Sequence, residues 1–464
     1  MSPIRLLAAM LAATLAVFAL VQPADAAGRY FAPAQESASA NIAADASGGL
    51  HAAFTGYDKP TGDAVYYRYC ARACAAEGNW QSVTLTVPRP INVQIGATPD
   101  GHPRLLVTSF GTGIAGASRM YTYAACDADC LRPESWALVP VGNSAERTFS
   151  GLFEFKIPEH SFVVDAEGRP HFLYVDANYI AEPDHYGTFH LTCEADCTDP
   201  ENWTETNLAV RIPARYTTEL WDQPALATAP GGKLRVLSEV YAIDKDGNQL
   251  KEGLYYYQCD SGCDQPGNWQ RAFVLDRGYG SYPNPTWDIA VLPDGRPRLA
   301  VFAGSDMAQK DLDHELIYLW CDKDCASETS WNGNAVTATG DGEAPDLALT
   351  ADGHPRLAFL GQYGDLGYLS CDEACESPQG KWDLKLQDAT QQAAADRPTA
   401  MPFTCDGEVW NGMLPRIAVT ADTAWFAYDL VVNGRCLYKE NDSDPVTYAE
   451  FHELWRGARL SWRD

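Results

Sequence analysis

Six times along the chain a β-rich segment ends in a cysteine, a second cysteine follows four residues later, and a tryptophan closes the unit. The copies read YYRYCARACAAEGNW, YTYAACDADCLRPESW, HLTCEADCTDPENW, YYYQCDSGCDQPGNW, YLWCDKDCASETSW and YLSCDEACESPQGKW. Their first cysteines, Cys70, Cys126, Cys193, Cys259, Cys321 and Cys371, are 56, 67, 66, 62 and 50 residues apart. A period of this size marks a repeat architecture, in which each unit buries its apolar face against its neighbours.

A second element precedes each cysteine pair: IGATPDGHPRLLV, FVVDAEGRPHFLYV, IAVLPDGRPRLAVF and LALTADGHPRLAFL, with looser versions IAADASGGLHAAF and LATAPGGKLRVLS. An apolar strand runs into an Asp-Gly or similar turn and a second strand follows at once, which is a tight hairpin. RIAVTADTAWFAYDL, residues 416–430, is a seventh copy without a cysteine pair. Each unit thus reads as four antiparallel strands, a to d, with the cysteine loop between c and d. Small residues in strand a (IAV, IGA, LAL) suit crowding around a common axis. The expected fold is all-β: a seven-bladed β-propeller of four-stranded antiparallel blades spanning residues 27–464. The seventh unit lacks an obvious strand d, for which ARLSW near the C-terminus and RYF near residue 30 are the candidates.

Fourteen cysteines, an even number, fit a disulfide framework, and each pair sits on its own unit, whereas zinc would need two pairs to converge. The expected local links are Cys70 with Cys74, Cys126 with Cys130, Cys193 with Cys197, Cys259 with Cys263, Cys321 with Cys325 and Cys371 with Cys375. Cys405 and Cys436 remain and are expected to bond each other. Closing so short a loop is worth about 2 kcal/mol at most on the chain-entropy account.

Disulfides imply an oxidising compartment, and residues 1–26 have the form of a signal peptide: Arg5, an apolar run, then ADA at Ala24 to Ala26. The protein is therefore expected to be secreted or periplasmic, with no membrane span after signal cleavage. Losing Arg5 and Asp25 together leaves the formal charge at −28. That field repels a phosphate backbone, so nucleic acid is excluded as a partner.

The repeat resembles the exported bacterial propellers grouped with sialidase-like and BNR-repeat proteins, over essentially all of residues 27–464. The resemblance is architectural, since the Asp-box S-x-D-x-G-x-x-W does not recur in regular copies. It implies a ligand face built from the b-to-c and d-to-a loops. The longest of these follow Trp136, Trp203, Trp269 and Trp382, with VDANYIAEPDHYGT beside them, and are expected to converge over units 3 to 5. That surface offers Arg215, Trp221, Arg277, Tyr282 and Trp287 for ligand binding, by ring stacking and by guanidinium forks on acidic groups. His160, His185, Tyr186 and Tyr282 are candidate acid–base groups.

Aligning the a strands on their turns sets Asn41, Gln94, Ser161, Ala225, Asp288, Asp346 and Arg416 at one level. Asp288 and Asp346 are then candidate paired carboxylates or ligands of a cation. No cofactor is called for; a channel-bound cation such as calcium is the open alternative. DKDGNQ, residues 244–249, reads as a hairpin turn, and His51 and His171 as structural groups on the short-turn face. The expected function is a monomeric recognition module for an extracellular glycan or cell-surface protein. The alternative is a polysaccharide-acting enzyme, either a uronate lyase with His/Tyr chemistry or a sialidase-like glycosidase.

Overall fold

The structure is a computed structural model that describes residues 30–31, 37–56, 63–111, 118–145, 160–176, 187–208, 220–241, 253–275, 287–303, 315–337, 342–361, 365–377, 379–387, 405–421, 423–438 and 448–463. These form seven four-stranded antiparallel sheets. After a short β1 (Tyr30–Phe31), blade 1 comprises β2 (Ser37–Ala44), β3 (Leu50–Gly56), β4 (Ala64–Cys70) and β5 (Gln81–Thr86). Blade 2 is β6 (Pro90–Ala97), β7 (Pro103–Phe110), β8 (Ser118–Ala125) and β9 (Ala137–Ala145). Blade 3 is β10 (Phe162–Val164), β11 (Pro170–Asp176), β12 (Gly187–Cys193) and β13 (Trp203–Asn207). Blade 4 is β14 (Leu220–Ala229), β15 (Lys233–Tyr241), β16 (Gly253–Cys259) and β17 (Gln270–Leu275). Blade 5 is β18 (Trp287–Val291), β19 (Pro297–Ala303), β20 (Glu315–Trp320) and β21 (Asn332–Ala335). Blade 6 is β22 (Glu343–Leu349), β23 (Pro355–Leu360), β24 (Leu366–Cys371) and β25 (Trp382–Gln387). Blade 7 is β26 (Cys405–Val419), β27 (Ala424–Tyr438) and β28 (Tyr448–Arg463), with β1 as its outer strand.

The inner strands β2, β6, β10, β14, β18, β22 and β26 touch in that order, and β26 touches β2, so the ring is closed. Both candidates for the missing strand are used. Leu460 and Ser461 belong to strand c of blade 7, and Tyr30 and Phe31 pair with Ser461 and Leu460 as strand d. Closure removes the sheet edges that an open array would expose.

The core lies between blades. Ala53, Val65 and Tyr67 of blade 1 pack with Val93, Leu105 and Val107 of blade 2, and the other interfaces follow suit. Six disulfides join the C-x3-C pairs, with Cα separations of 5.6 to 5.7 Å. Cys405 and Cys436 stand opposite each other in the β26–β27 ladder.

The loop tryptophan has a fixed task. In five loops its Nε1–H donates to the carbonyl of the second cysteine, as Trp80 does to Cys74 at 2.8 Å. Its ring then meets the preceding blade, as Trp136 meets Tyr67. The arginine after the short turn braces the same loop: Arg104 donates to the Cys126 carbonyl and pairs with Asp127. His51 and His171 take that register in blades 1 and 3 and are buried, with Asp45 and Asp165 beside them. Among the described residues no helix is long and apolar enough to cross a membrane.

Candidate functional site

The aligned level of strand a is a structural ring. Gln94, Ala225, Asp288, Asp346 and Arg416 stand opposite Leu106, Leu237, Ala300, Ala358 and Ala427, the same register in five blades. In blades 1, 4, 6 and 7 a bulge two residues earlier puts Ser39, Gln223, Ala344 and Leu414 at φ between 47° and 54°. A bulge re-aims the next side chains, here into the gap between blades, at a strain of about 1–2 kcal/mol per non-glycine residue.

From this level side chains reach the next blade's backbone. Gln94 Oε1 accepts from the N–H of Ser161 at 2.9 Å and of Phe162 at 3.0 Å. Asp288 Oδ2 accepts from Leu347 N–H at 2.7 Å, and Asp346 accepts from Ile417 N–H. At the seam Asp429 accepts from the N–H groups of Ser39 and Ala40.

Four of the residues around the axis meet. His160, immediately before β10, lies across from blades 5, 6 and 7. Its Nδ1 is 3.4 Å from Asp288 Oδ1 and 4.0 Å from Asp346 Oδ2, and its Nε2 is 2.8 Å from Arg416 Nη1. Arg416 Nη1 is also 3.8 Å from Asp346 Oδ2. All four sit at the entry end of the inner strands, onto which the d-to-a and b-to-c connections open. From the same end blade 7 runs on: its ladder continues out to Cys405, Tyr438 and Tyr448.

The hydrogen-bond roles follow from chemistry. Arginine only donates, so His160 Nε2 accepts, and the neutral ring carries its proton on Nδ1, towards Asp288. Burial, then the Arg416 charge, holds the imidazolium well below its usual range. Burial, then Asp346, pushes the Asp288 carboxyl well up. Burial likewise raises Asp346 to about 6, while Arg416 opposes the rise. Burial therefore holds both carboxyls above the usual carboxylate range, and Arg416 favours the ionised form of Asp346.

His160, Asp288 and Asp346 offer ligand atoms within 4.8 Å of one another. The set suits calcium poorly: calcium takes 6–8 oxygen ligands, Nδ1 bears a proton, and Arg416 already balances the ionised carboxylate.

The expected site is only partly what the structure brings together. His160, Asp288 and Asp346 converge across blades 3, 5 and 6, while most of the loop surface expected over units 3 to 5 lies outside the described residues. Arg416 was placed at the right level but not read as a site residue. Its partner His160 is 256 residues away, and only ring closure brings them together. Trp287 is a correction: the residue is 2% exposed, its Nε1–H donates to the Gln223 carbonyl at 3.0 Å, and it packs with Ala225, Leu237 and Leu254. It binds blade 5 to blade 4 and offers no stacking face. Trp221 lies in β14, its backbone opposite Val240. His185, Tyr186, Arg215, Arg277 and Tyr282 lie outside the described residues, as does the DKDGNQ turn.

No protein-family model matches the sequence, and no curated protein does. Solved propellers are similar in fold. A Penicillium chrysogenum α-L-arabinanase complexed with arabinobiose is 16% identical over 78% of this chain and 97% of its own, with a TM-score of 0.44. An ulvan lyase of polysaccharide lyase family PL25 is 10% identical over 92% of this chain and 96% of its own, with a TM-score of 0.49. A Trypanosoma rangeli sialidase is 8% identical over 92% of this chain and 55% of its own, with a TM-score of 0.39. Glycoside hydrolases and a polysaccharide lyase are thus among its structural neighbours, by architecture and not by matched residues.

Proposed function

We propose that the protein is a polysaccharide-acting enzyme of the hydrolytic kind, with Asp288 and Asp346, at the entry end of the inner strands, as its acid–base pair. One observation carries this reading. Stapling one blade to the next needs only an acceptor, and in blade 2 the neutral amide of Gln94 does that work. Asp288 and Asp346 are in addition brought together with His160 and Arg416, which a staple does not need, and burial raises both above the usual carboxylate range, with Arg416 opposing the rise at Asp346. Two carboxyls whose environments separate their proton affinities are the equipment of glycosidic bond hydrolysis.

Asp288 holds the proton to be given to the leaving oxygen, and Asp346, kept ionised by Arg416, takes the complementary role of base or nucleophile. His160 orients Asp288 from Nδ1. In the lyase alternative His160 is a poor base, since Arg416 occupies its Nε2, and that reading rests on His185, outside the described residues. The recognition reading loses Trp287 to the core. The class of the similar propellers is in keeping with this assignment and does not carry it.

The test is the mature protein against a panel of neutral and acidic polysaccharides, reading reducing ends, unsaturated ends and binding together. Reducing ends are expected, reduced at least about a thousandfold in both Asp288→Asn and Asp346→Asn, which keep a staple acceptor. The rate should fall as pH drops through about 6, where Asp346 takes up its proton, and Asp346→Asn should abolish that limb. Unsaturated ends, or saturable binding without turnover, overturn the assignment.

A further inference from the structure

On the face bearing the cysteine loops, neighbouring blades repeat one contact. The tyrosine three residues before a blade's first cysteine meets the next blade's loop tryptophan edge-on. Tyr67 meets Trp136 at 5.0 Å, Tyr123 meets Trp203 at 4.9 Å, Tyr256 meets Trp331 at 4.9 Å and Tyr318 meets Trp382 at 5.2 Å. These four tyrosines are 0 to 1% exposed.

Tyr368 holds the same position in blade 6, but blade 7 has no cysteine loop. Trp462 lies opposite Trp425 as Ser370 lies opposite Arg356, so Arg463 stands where a first cysteine would. Tyr368 is 7% exposed and touches Phe426 of blade 7 at 5.3 Å. Among the described residues no indole covers it, and a cleft of about 360 Å³ opens there between blades 6 and 7.

The preceding interface shows what such a cleft accepts. There the loop of blade 6 brings Trp382 to Tyr318 and Glu376 to Arg298, whose Nε donates to Glu376 Oε1 at 2.7 Å. Arg356 is the blade 6 counterpart of Arg298, opposite Ala348 as Arg298 is opposite Ala290. Its side chain is 15% exposed where that of Arg298 is 0%. Arg356, Lys385 and Arg463 line the cleft against two acids, Asp372 and Asp383, so its rim is net cationic in a chain of charge −28.

We propose that this cleft is a docking socket for a partner polypeptide whose exposed loop presents a tryptophan with a nearby carboxylate, in the manner of the chain's own cysteine loops. The indole fills the cleft beside Tyr368, and the carboxylate meets the Arg356 and Arg463 rim. Buried aromatic anchors of this kind dominate small interfaces.

The probe is the oxidised synthetic peptide CDEACESPQGKW, the sequence of Cys371 to Trp382, titrated into the full folded chain by calorimetry. Saturable one-to-one binding is expected, weakened at least about tenfold when the peptide's tryptophan is replaced by alanine. Ala421→Trp, on the exposed turn lining the cleft, should block binding to the same degree without changing the melting temperature. Tyr368→Ala should do so too, but the turn variant keeps the test valid if that one fails to fold. No saturable binding up to about 1 mM, or binding indifferent to both the peptide's tryptophan and Ala421→Trp, overturns the proposal.

Discussion

Replacing His190 by tyrosine should remove a defined part of the protein's sensitivity to acid. In blade 3, His171 Nδ1 is 3.2 Å from His190 Nε2 and its Nε2 is 3.2 Å from Asp165 Oδ2. In blade 1 the same register holds His51, with Nδ1 2.7 Å from the Tyr67 hydroxyl and Nε2 3.3 Å from Asp45 Oδ2. His190→Tyr therefore turns the blade 3 arrangement into one the fold already uses. Burial, then the neighbouring His171, lowers His190 to about 3. An unfolded histidine titrates near about 6.5, so the unfolded chain takes up this proton first as pH falls. The stabilisation is whole above about 6.5 and is lost between there and about 3. At pH 5 the loss is about 1.5 pH units at about 1.4 kcal/mol each, or about 2 kcal/mol. His51 and His160 are also lowered by burial and remain in the variant, so the quantity to read is variant minus wild type. Urea midpoints of both proteins at about pH 7.5 and pH 5 give it: the variant should gain about 2 kcal/mol on the wild type between the two. An unchanged difference would refute the reasoning.

Three further outcomes are expected. The residue before each second cysteine is left-handed, with φ 53° at Ala73 and 60° at Gly262; Ala73→Gly should stabilise and Gly262→Ala destabilise, each by about 1 kcal/mol in thermal unfolding. Trp287→Ala should cost about 3–5 kcal/mol of stability, with any glycan affinity of the still-folded fraction unaltered, as measured by denaturation and titration in parallel. Non-reducing peptide mapping should find the six short links and a seventh between Cys405 and Cys436, which face each other in the β26–β27 register; free thiol at either would count against it.

The blade count and order were legible because the cysteine loop and the Asp-Gly hairpin are local signals repeated with one phase. The shared level of Gln94, Asp288, Asp346 and Arg416 came from the same phase, as each sits a fixed distance before its turn. Side-chain direction was less accessible. Asp288 and Asp346 reach a neighbour's backbone and meet His160 because of how successive blades are set around the ring, with a bulge at Ala344 helping to aim Asp346 alone. Trp287 misled for a related reason: an aromatic at the start of a strand after a long loop reads as surface until the neighbouring Gln223 carbonyl accepts its N–H. Tyr368 is the reverse case, since its copies in other blades give no hint that the loop tryptophan they meet is absent beside it.

Blade 7 takes three strands from the C-terminal part of the chain and its fourth from Tyr30 and Phe31. Blades 1 to 6 are each contiguous and can form as soon as their own 50 or so residues are present. The last must wait for partners some 430 residues apart, Tyr30 and Ser461. The outer edge of that blade, closed by so short a strand, can be completed by the same strand of another molecule, and such an exchange is head-to-tail and need not close. Refolding at high concentration should therefore yield linked rings in series, and refolding at high dilution single ones, from one sequence with the same native contacts.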